Sequence, residues 1–204
     1  MKVTKWNEEA AREIGHAFGY YDYGDEVGMG VFYRSKDAVA DYIYGYVKMA
    51  YEGDMLYTTS DNGEGYIAYT LPGQKTNFKA GMALIKALFH SMSIGEMMRM
   101  WKAIVSGGKS LQDKMKKEKK PFIFVGMVCV REQYQGQGYM RKVLDMAFSE
   151  GNRLHVPVIL ETDARSKCDK YMHLGMELYG VRDIKAYGKL YDLSLIHISE
   201  PTRH

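Results

Sequence analysis

Cysteine is scarce: the 204 residues hold two, Cys129 and Cys168, and their spacing makes neither a disulfide framework nor a metal cluster. Both read as reduced, structural thiols, and no metal is expected. No apolar run approaches the roughly 18 residues that mark a membrane span. Met1 to Arg12 lacks the pattern of a secretory signal. A cytoplasmic protein with no membrane partner is therefore expected. Excess charge is small as well, a formal +3, which demands no polyanionic partner. The one basic run, Lys114, Lys116, Lys117, Lys119 and Lys120, has no aromatic residues interleaved for stacking on bases, so it reads as a solvated helix end and no nucleic acid is expected. The remaining composition, 46% hydrophobic and 26% charged, is ordinary for a globular chain. The length suits one well-buried domain, or at most two small ones.

The richest stretch is Phe122 to Gly151. Phe122 to Val130 carries no polar side chain, which predicts a central strand covered on both faces, as a parallel sheet requires. A polar loop follows, Arg131 to Gly138, then a helix from Tyr139 to Ser149. Gln135, Gly136, Gln137 and Gly138 open that helix directly, so backbone N–H groups without intrahelical partners point out of its first turn. Such an end attracts phosphate. A Walker loop would need Lys and then Ser or Thr after the last glycine, where Tyr139 and Met140 stand. A dinucleotide fingerprint would need its third glycine at Arg141. Glu161 or Asp163 could pose as its ribose acid, but the fold needs further strand–helix repeats and only about forty residues remain.

Around this stretch, Asn7 caps a helix to about Phe18, with Ala10, Ile14 and Ala17 on one face. Gly19 to Tyr33, rich in glycine, tyrosine and acids, is either an aromatic-stapled surface loop or a wall of an acceptor pocket suited to a cationic amine. Ser35 caps a helix to about Glu52, whose Ala38, Tyr42, Tyr46 and Met49 form a core-facing stripe. Met55 to Thr59 and Tyr66 to Leu71 form a hairpin around Asn62-Gly63. Asn77 to Lys120 is helical, with a capping box at Ser93 and Glu96. Met82, Met92, Met97, Met98 and Met100 cluster there, as core packing or as an adaptable lid over an acceptor. Pro157 to Thr162 reads as a strand parallel to the first. Asp163 reads as the cap of a helix from Arg165 to Leu174, and two strands close the fold, Met176 to Val181 and Lys189 to Leu193.

The loop resembles the acetyl-CoA-binding motif of the GNAT superfamily of N-acetyltransferases, in which Gln or Arg, two residues, Gly, one residue and Gly or Ala follow a strand and open a helix. Gln135 and Gly138 match, Gly136 is a common extra glycine, and Met140 stands in place of Gly or Ala. The second half adds Tyr171, Met172, His173, Leu174, Gly175 and Met176, similar to the family's Tyr, two residues, Leu, Gly, apolar signature. Leu160-Glu161-Thr162, the early helix, the Pro-closed hairpin and the helical insertion resemble the puromycin N-acetyltransferase-like branch. The Asn often found before the tyrosine is absent; Arg165, Ser166 and Lys167 stand there.

The resemblance implies a single-domain α/β fold, a mixed central sheet flanked by helices with a helical insertion before the CoA-binding strand. It implies acetyl-CoA as cosubstrate and acetyl transfer to a primary amine by direct attack in a ternary complex. Val128, Cys129 and Val130 would accompany the pantetheine arm. Gln135, Gly136, Gln137, Gly138, Tyr139, Met140 and Arg141 would hold the pyrophosphate. Tyr171 would be the general acid. Glu161 would take the amine's proton, directly or through water, or else orient the substrate; His155 and His173 are the other titratable options. A small-molecule amine is the expected acceptor, with a protein or peptide acceptor and a non-catalytic CoA-binding module as alternatives, in a monomer or homodimer. Ser194 to His204 resembles a translated sequencing-adaptor read-through, so the native domain is expected to span 1–193, and His197 and His204 carry no functional weight.

Overall fold

Local capping fixes the first helices. In the computed structural model, which describes residues 1–185 and 187–195, the Asn7 side chain accepts the Ala10 N–H at 3.0 Å and opens α1, Glu8–Gly19. Ser35 accepts the Ala38 N–H at 3.1 Å and opens α2, Lys36–Glu52. Between them lies a single 3-10 turn, Met29–Phe32. The hairpin follows as β1, Leu56–Thr58, and β2, Gly65–Thr70, with Gly63 at the positive φ its turn requires.

The helical insertion is α3, Phe78–Ser91, α4, Ile94–Ser106, and α5, Leu111–Lys117. Reciprocal capping boxes, Ser93 with Glu96 and Ser110 with Asp113, open the last two. The chain continues through β3, Ile123–Val130, α6, Tyr139–Leu154, β4, Val158–Thr162, and α7, Arg165–His173, to the closing hairpin of β5, Glu177–Ile184, and β6, Gly188–Leu195. Ser194 and Leu195 pair with Ile159 and Val158 as the end of β6; His197 and His204 lie outside the described residues.

The six strands form one mixed sheet in the order β1-β2-β3-β4-β6-β5. β3 and β4 are its parallel pair and the other neighbours run antiparallel. On one face α6 packs Val143, Leu144 and Ala147 against Ile67, Val125 and Leu160. On the other, α1, α2 and α3 cover Tyr66, Ala68, Met127 and Cys129. β3 is central, but it is not evenly covered. Ala68 pairs with Met127 while Tyr69 pairs with Val125, so Gly126 is an extra residue, a bulge that shifts the alternation of faces. Gly126 itself is exposed, and Phe124, Val128 and Val130 are half-buried. Among the described residues no helix is long and apolar enough to cross a membrane.

Candidate active site

The strands part where the bulge begins. β3 pairs with β4 over Ile123 to Val125, opposite Val158 to Leu160. Beyond that, β3 runs on to Val130, while Glu161 and Thr162 pair away from it, with Asp192 and Tyr191 of β6. The result is a wedge through the sheet, and a cavity of about 790 Å³ fills it, a volume within the range of ligand sites. Because the wedge opens both faces, Tyr171 of α7 reaches the cavity from one side and Tyr42 and Tyr46 of α2 from the other. A Cβ at Gly126 would collide with the Tyr46 hydroxyl, so the bulge needs glycine for space.

The wide end of the wedge meets the glycine loop. Gly136 and Gly138 have φ of 74° and 79°, left-handed conformations that cost L-residues about 1–2 kcal/mol. Nothing lies within 4 Å of where a Cβ would stand at either. The first backbone bond of α6 runs from Lys142 N–H to Gly138 C=O at 3.3 Å. The N–H groups of Tyr139, Met140 and Arg141 therefore have no backbone acceptor among the described residues. An extended slot beside unpaired strand edge, ending on free N–H groups at a helix start, fits an elongated ligand with an anionic end.

No protein-family model matches the chain, and no curated protein matches it. Solved structures do. The N-acetyltransferase of Staphylococcus aureus is similar over 93% of this chain and 97% of its own, at 15% identity and a TM-score of 0.54. The "histone acetyltransferase HPA2 and related acetyltransferase" of Corynebacterium glutamicum is similar over 100% and 97%, at 11% identity and a TM-score of 0.62. Arylalkylamine N-acetyltransferase 2 of Aedes aegypti is similar over 96% and 98%, at 11% identity and a TM-score of 0.57. The fold is that of the GNAT acetyltransferases.

In this GNAT fold, Val128, Cys129 and Val130 of β3 line the cavity, as do Gln135, Gly136, Gly138, Tyr139 and Met140 at the loop and first turn of α6. Gln137 and Arg141 do not. The Gln137 amide turns back to Gln133 C=O at 3.0 Å, and Arg141 borders a separate hollow beside Asp145 and Gly175. Burial pushes the Cys129 thiol up to about 12, so it stays protonated and is no nucleophile.

Tyr171 is buried and lines the cavity. Burial, with the nearby Asp163 charge, pushes its phenol above the ordinary value. Glu161 lines the cavity too, and its Oε2 accepts from Arg182 Nη2 at 2.7 Å. Arg182 also grips both oxygens of buried Asp192, each at 3.0 Å. Burial raises the Glu161 carboxyl and Asp192 adds to it; the Arg182 charge opposes them, and the net shift is upward. His155 ends α6 and His173 is exposed on α7, and neither borders the cavity.

One sequence reading is corrected here. Asp163 does not cap α7, whose N-cap is Ala164 without a side-chain bond. It accepts instead from Tyr23 Oη at 2.7 Å, Met29 N–H at 3.2 Å and Lys167 Nζ at 3.0 Å. These tertiary donors lock the Gly19–Tyr33 segment onto the β4–α7 turn, and Tyr21 and Met29 of that segment border the cavity. Tyr42 and Tyr46 pack against the core as expected and also line the cavity. Of the two readings of the methionine cluster, core packing holds for Met92, Met97 and Met100; Met82 and Met98 are exposed, and none of the five borders the cavity.

Burial raises the Asp163 carboxyl, but Lys167 and the two hydrogen-bond donors outweigh it and the net shift is downward. The stability this residue supplies is thus complete above the ordinary Asp value of 3.8 and is lost as pH falls through its depressed value. Asp163→Asn is expected to lower stability at neutral pH by about 3 kcal/mol and to flatten the decline below pH 3.8. Urea midpoints across that range measure both.

Proposed function

We propose that this chain is an acetyl-CoA-dependent N-acetyltransferase of the puromycin-like branch, moving an acetyl group to the primary amine of a small molecule by direct attack in a ternary complex. The observation that carries the reading is the wedge between β3 and β4 running into the free N–H groups at the start of α6. Val128 to Val130 would hold the pantetheine arm, and Gln135, Gly136 and Gly138 to Met140 the pyrophosphate. Bound acetyl-CoA supplies an activated thioester, and backbone N–H groups along the wedge can stabilise negative charge on its oxygen.

A lysine-like amine titrates near 10.4, so neutralising it at pH 7 costs about 4 to 5 kcal/mol without help. Glu161 takes that proton, directly or through water, with Arg182 fixing its carboxylate. Tyr171 holds its proton across the neutral range and delivers it from its hydroxyl to the departing thiolate side of the site. Tyr21, Tyr42 and Tyr46 present aromatic faces to a cationic acceptor.

Thermal unfolding with and without acetyl-CoA tests the cofactor. At a hundredfold excess over the dissociation constant the native state gains about 2.7 kcal/mol, an upward shift of roughly 5–10 °C for a domain this size. No shift at millimolar acetyl-CoA would remove the reading. A thiol-release screen over small amines and peptides then separates small-molecule transfer from peptide transfer, and either from binding without catalysis.

A further inference from the structure

α3 packs on α2 through Ala80, Ala87 and Ser91. Its opposite side carries Phe78, Met82, Ile85 and Phe89, each between 47 and 83% exposed. At 100° per residue these four share an arc of about 60°, roughly 170° from the packed side. α4 repeats the spacing with Ile94, Met98, Trp101 and Val105, between 52 and 67% exposed, and buries none of its residues. Each stripe presents on the order of 500 Å² of apolar side chain, the size of the largest apolar patch on an ordinary monomer.

Charge follows the same segment. Residues 75–120 hold eleven Lys and Arg against three Asp and Glu, a net of +8, whereas the whole chain carries +3 and the remainder is therefore acidic. Lys79 and Lys86 border the stripe of α3 and Lys102 that of α4, while Arg99 lies further round α4. Among the described residues none of these four forms an ion pair. Apolar and aromatic side chains on one face with long cationic side chains at its border are the pattern of helices that lie in a lipid interface, the stems buried and the charges reaching phosphate.

We propose that α3 and α4 dock this protein on an anionic lipid bilayer. Lying on a bilayer needs no spanning helix. A second copy of the chain suits the face less well: a two-fold interface would set one basic segment against its own duplicate, while an anionic headgroup layer neutralises it.

The test uses the full chain with vesicles of phosphatidylcholine alone and of phosphatidylcholine containing roughly one third phosphatidylserine. Binding is read by co-sedimentation and by the Trp101 emission. Trp6 packs elsewhere, against Tyr44 and Tyr51, so Trp101→Phe isolates the signal. Expected are binding to the anionic vesicles only, a blue shift that Trp101→Phe removes, and weakening by salt. The double variant Phe89→Ser, Trp101→Ser changes exposed positions and should keep its melting temperature and circular dichroism while binding roughly 100-fold more weakly. No binding to anionic vesicles, or equal binding to both kinds, would overturn the proposal. So would a chain that is dimeric in solution and becomes monomeric in the double variant, which would assign the face to a second copy.

Discussion

Gly138→Asp is expected to abolish stabilisation by acetyl-CoA while leaving the unliganded protein folded. Gly138 is the N-cap of α6, with φ 79° and ψ 5°. Asp and Asn tolerate this left-handed region better than other L-residues, and nothing lies within 4 Å of where the new Cβ would stand. The variant therefore keeps its helix and places a carboxylate beside the N–H groups that a pyrophosphate would use. The two negative charges then repel. Two unit charges about 4 Å apart at an effective dielectric constant near 20 interact by about 4 kcal/mol, so affinity should fall at least about 1,000-fold. Gly138→Asn separates charge from backbone strain: it has the same shape without the charge and should retain part of the acetyl-CoA shift. A Gly138→Asp protein that still binds tightly would show that the loop is only a turn.

The loop was legible because its signal is local. Glycines at a strand–helix junction specify positive φ and free N–H groups whatever surrounds them, and the Asn7, Ser35 and Ser93 caps are local in the same sense. The wedge was not legible. That β3 bulges at Gly126, and that Glu161 pairs with Asp192 instead of following β3, depends on register with strands distant in sequence. For the same reason an apolar run without polar residues predicted even covering of β3, whereas parting from β4 leaves Gly126 exposed.

Periodicity has a related blind spot. The stripe of Tyr42 and Tyr46 shows which side of α2 faces inward, but not that the two tyrosines, packed against the core beside Met49, also line a cavity. Likewise the 4-3-4 spacing along α3 and α4 reveals an apolar face without revealing whether the fold covers it. Asp163 is the opposite failure, a strong local capping signal overridden by Tyr23 and Lys167, the first of them 140 residues away in sequence.

Tyr171→Phe is expected to lower turnover by roughly 100- to 10,000-fold, the contribution of a positioned general acid, with little change in acetyl-CoA affinity. The substitution preserves the ring, and the lost hydroxyl makes no hydrogen bond to any described residue, so the melting temperature should hold. Thiol release at saturating amine measures the rate, and the thermal shift with acetyl-CoA measures binding. The pH profile locates the defect. Glu161 must be ionised to accept a proton, and its carboxyl lies above the ordinary 4.5, so activity should fall on the acid side at a pH above that value. Tyr171→Phe should lower the whole profile and leave this limb in place, because the base is untouched. Glu161→Gln should instead remove the limb. If Tyr171→Phe turns over like the parent protein, the tyrosine is only a wall of the wedge. The proton for the thiolate would then come from solvent or from another proton-bearing group of the lining, such as Lys170 or Tyr134, since the histidines at 155 and 173 do not reach the site.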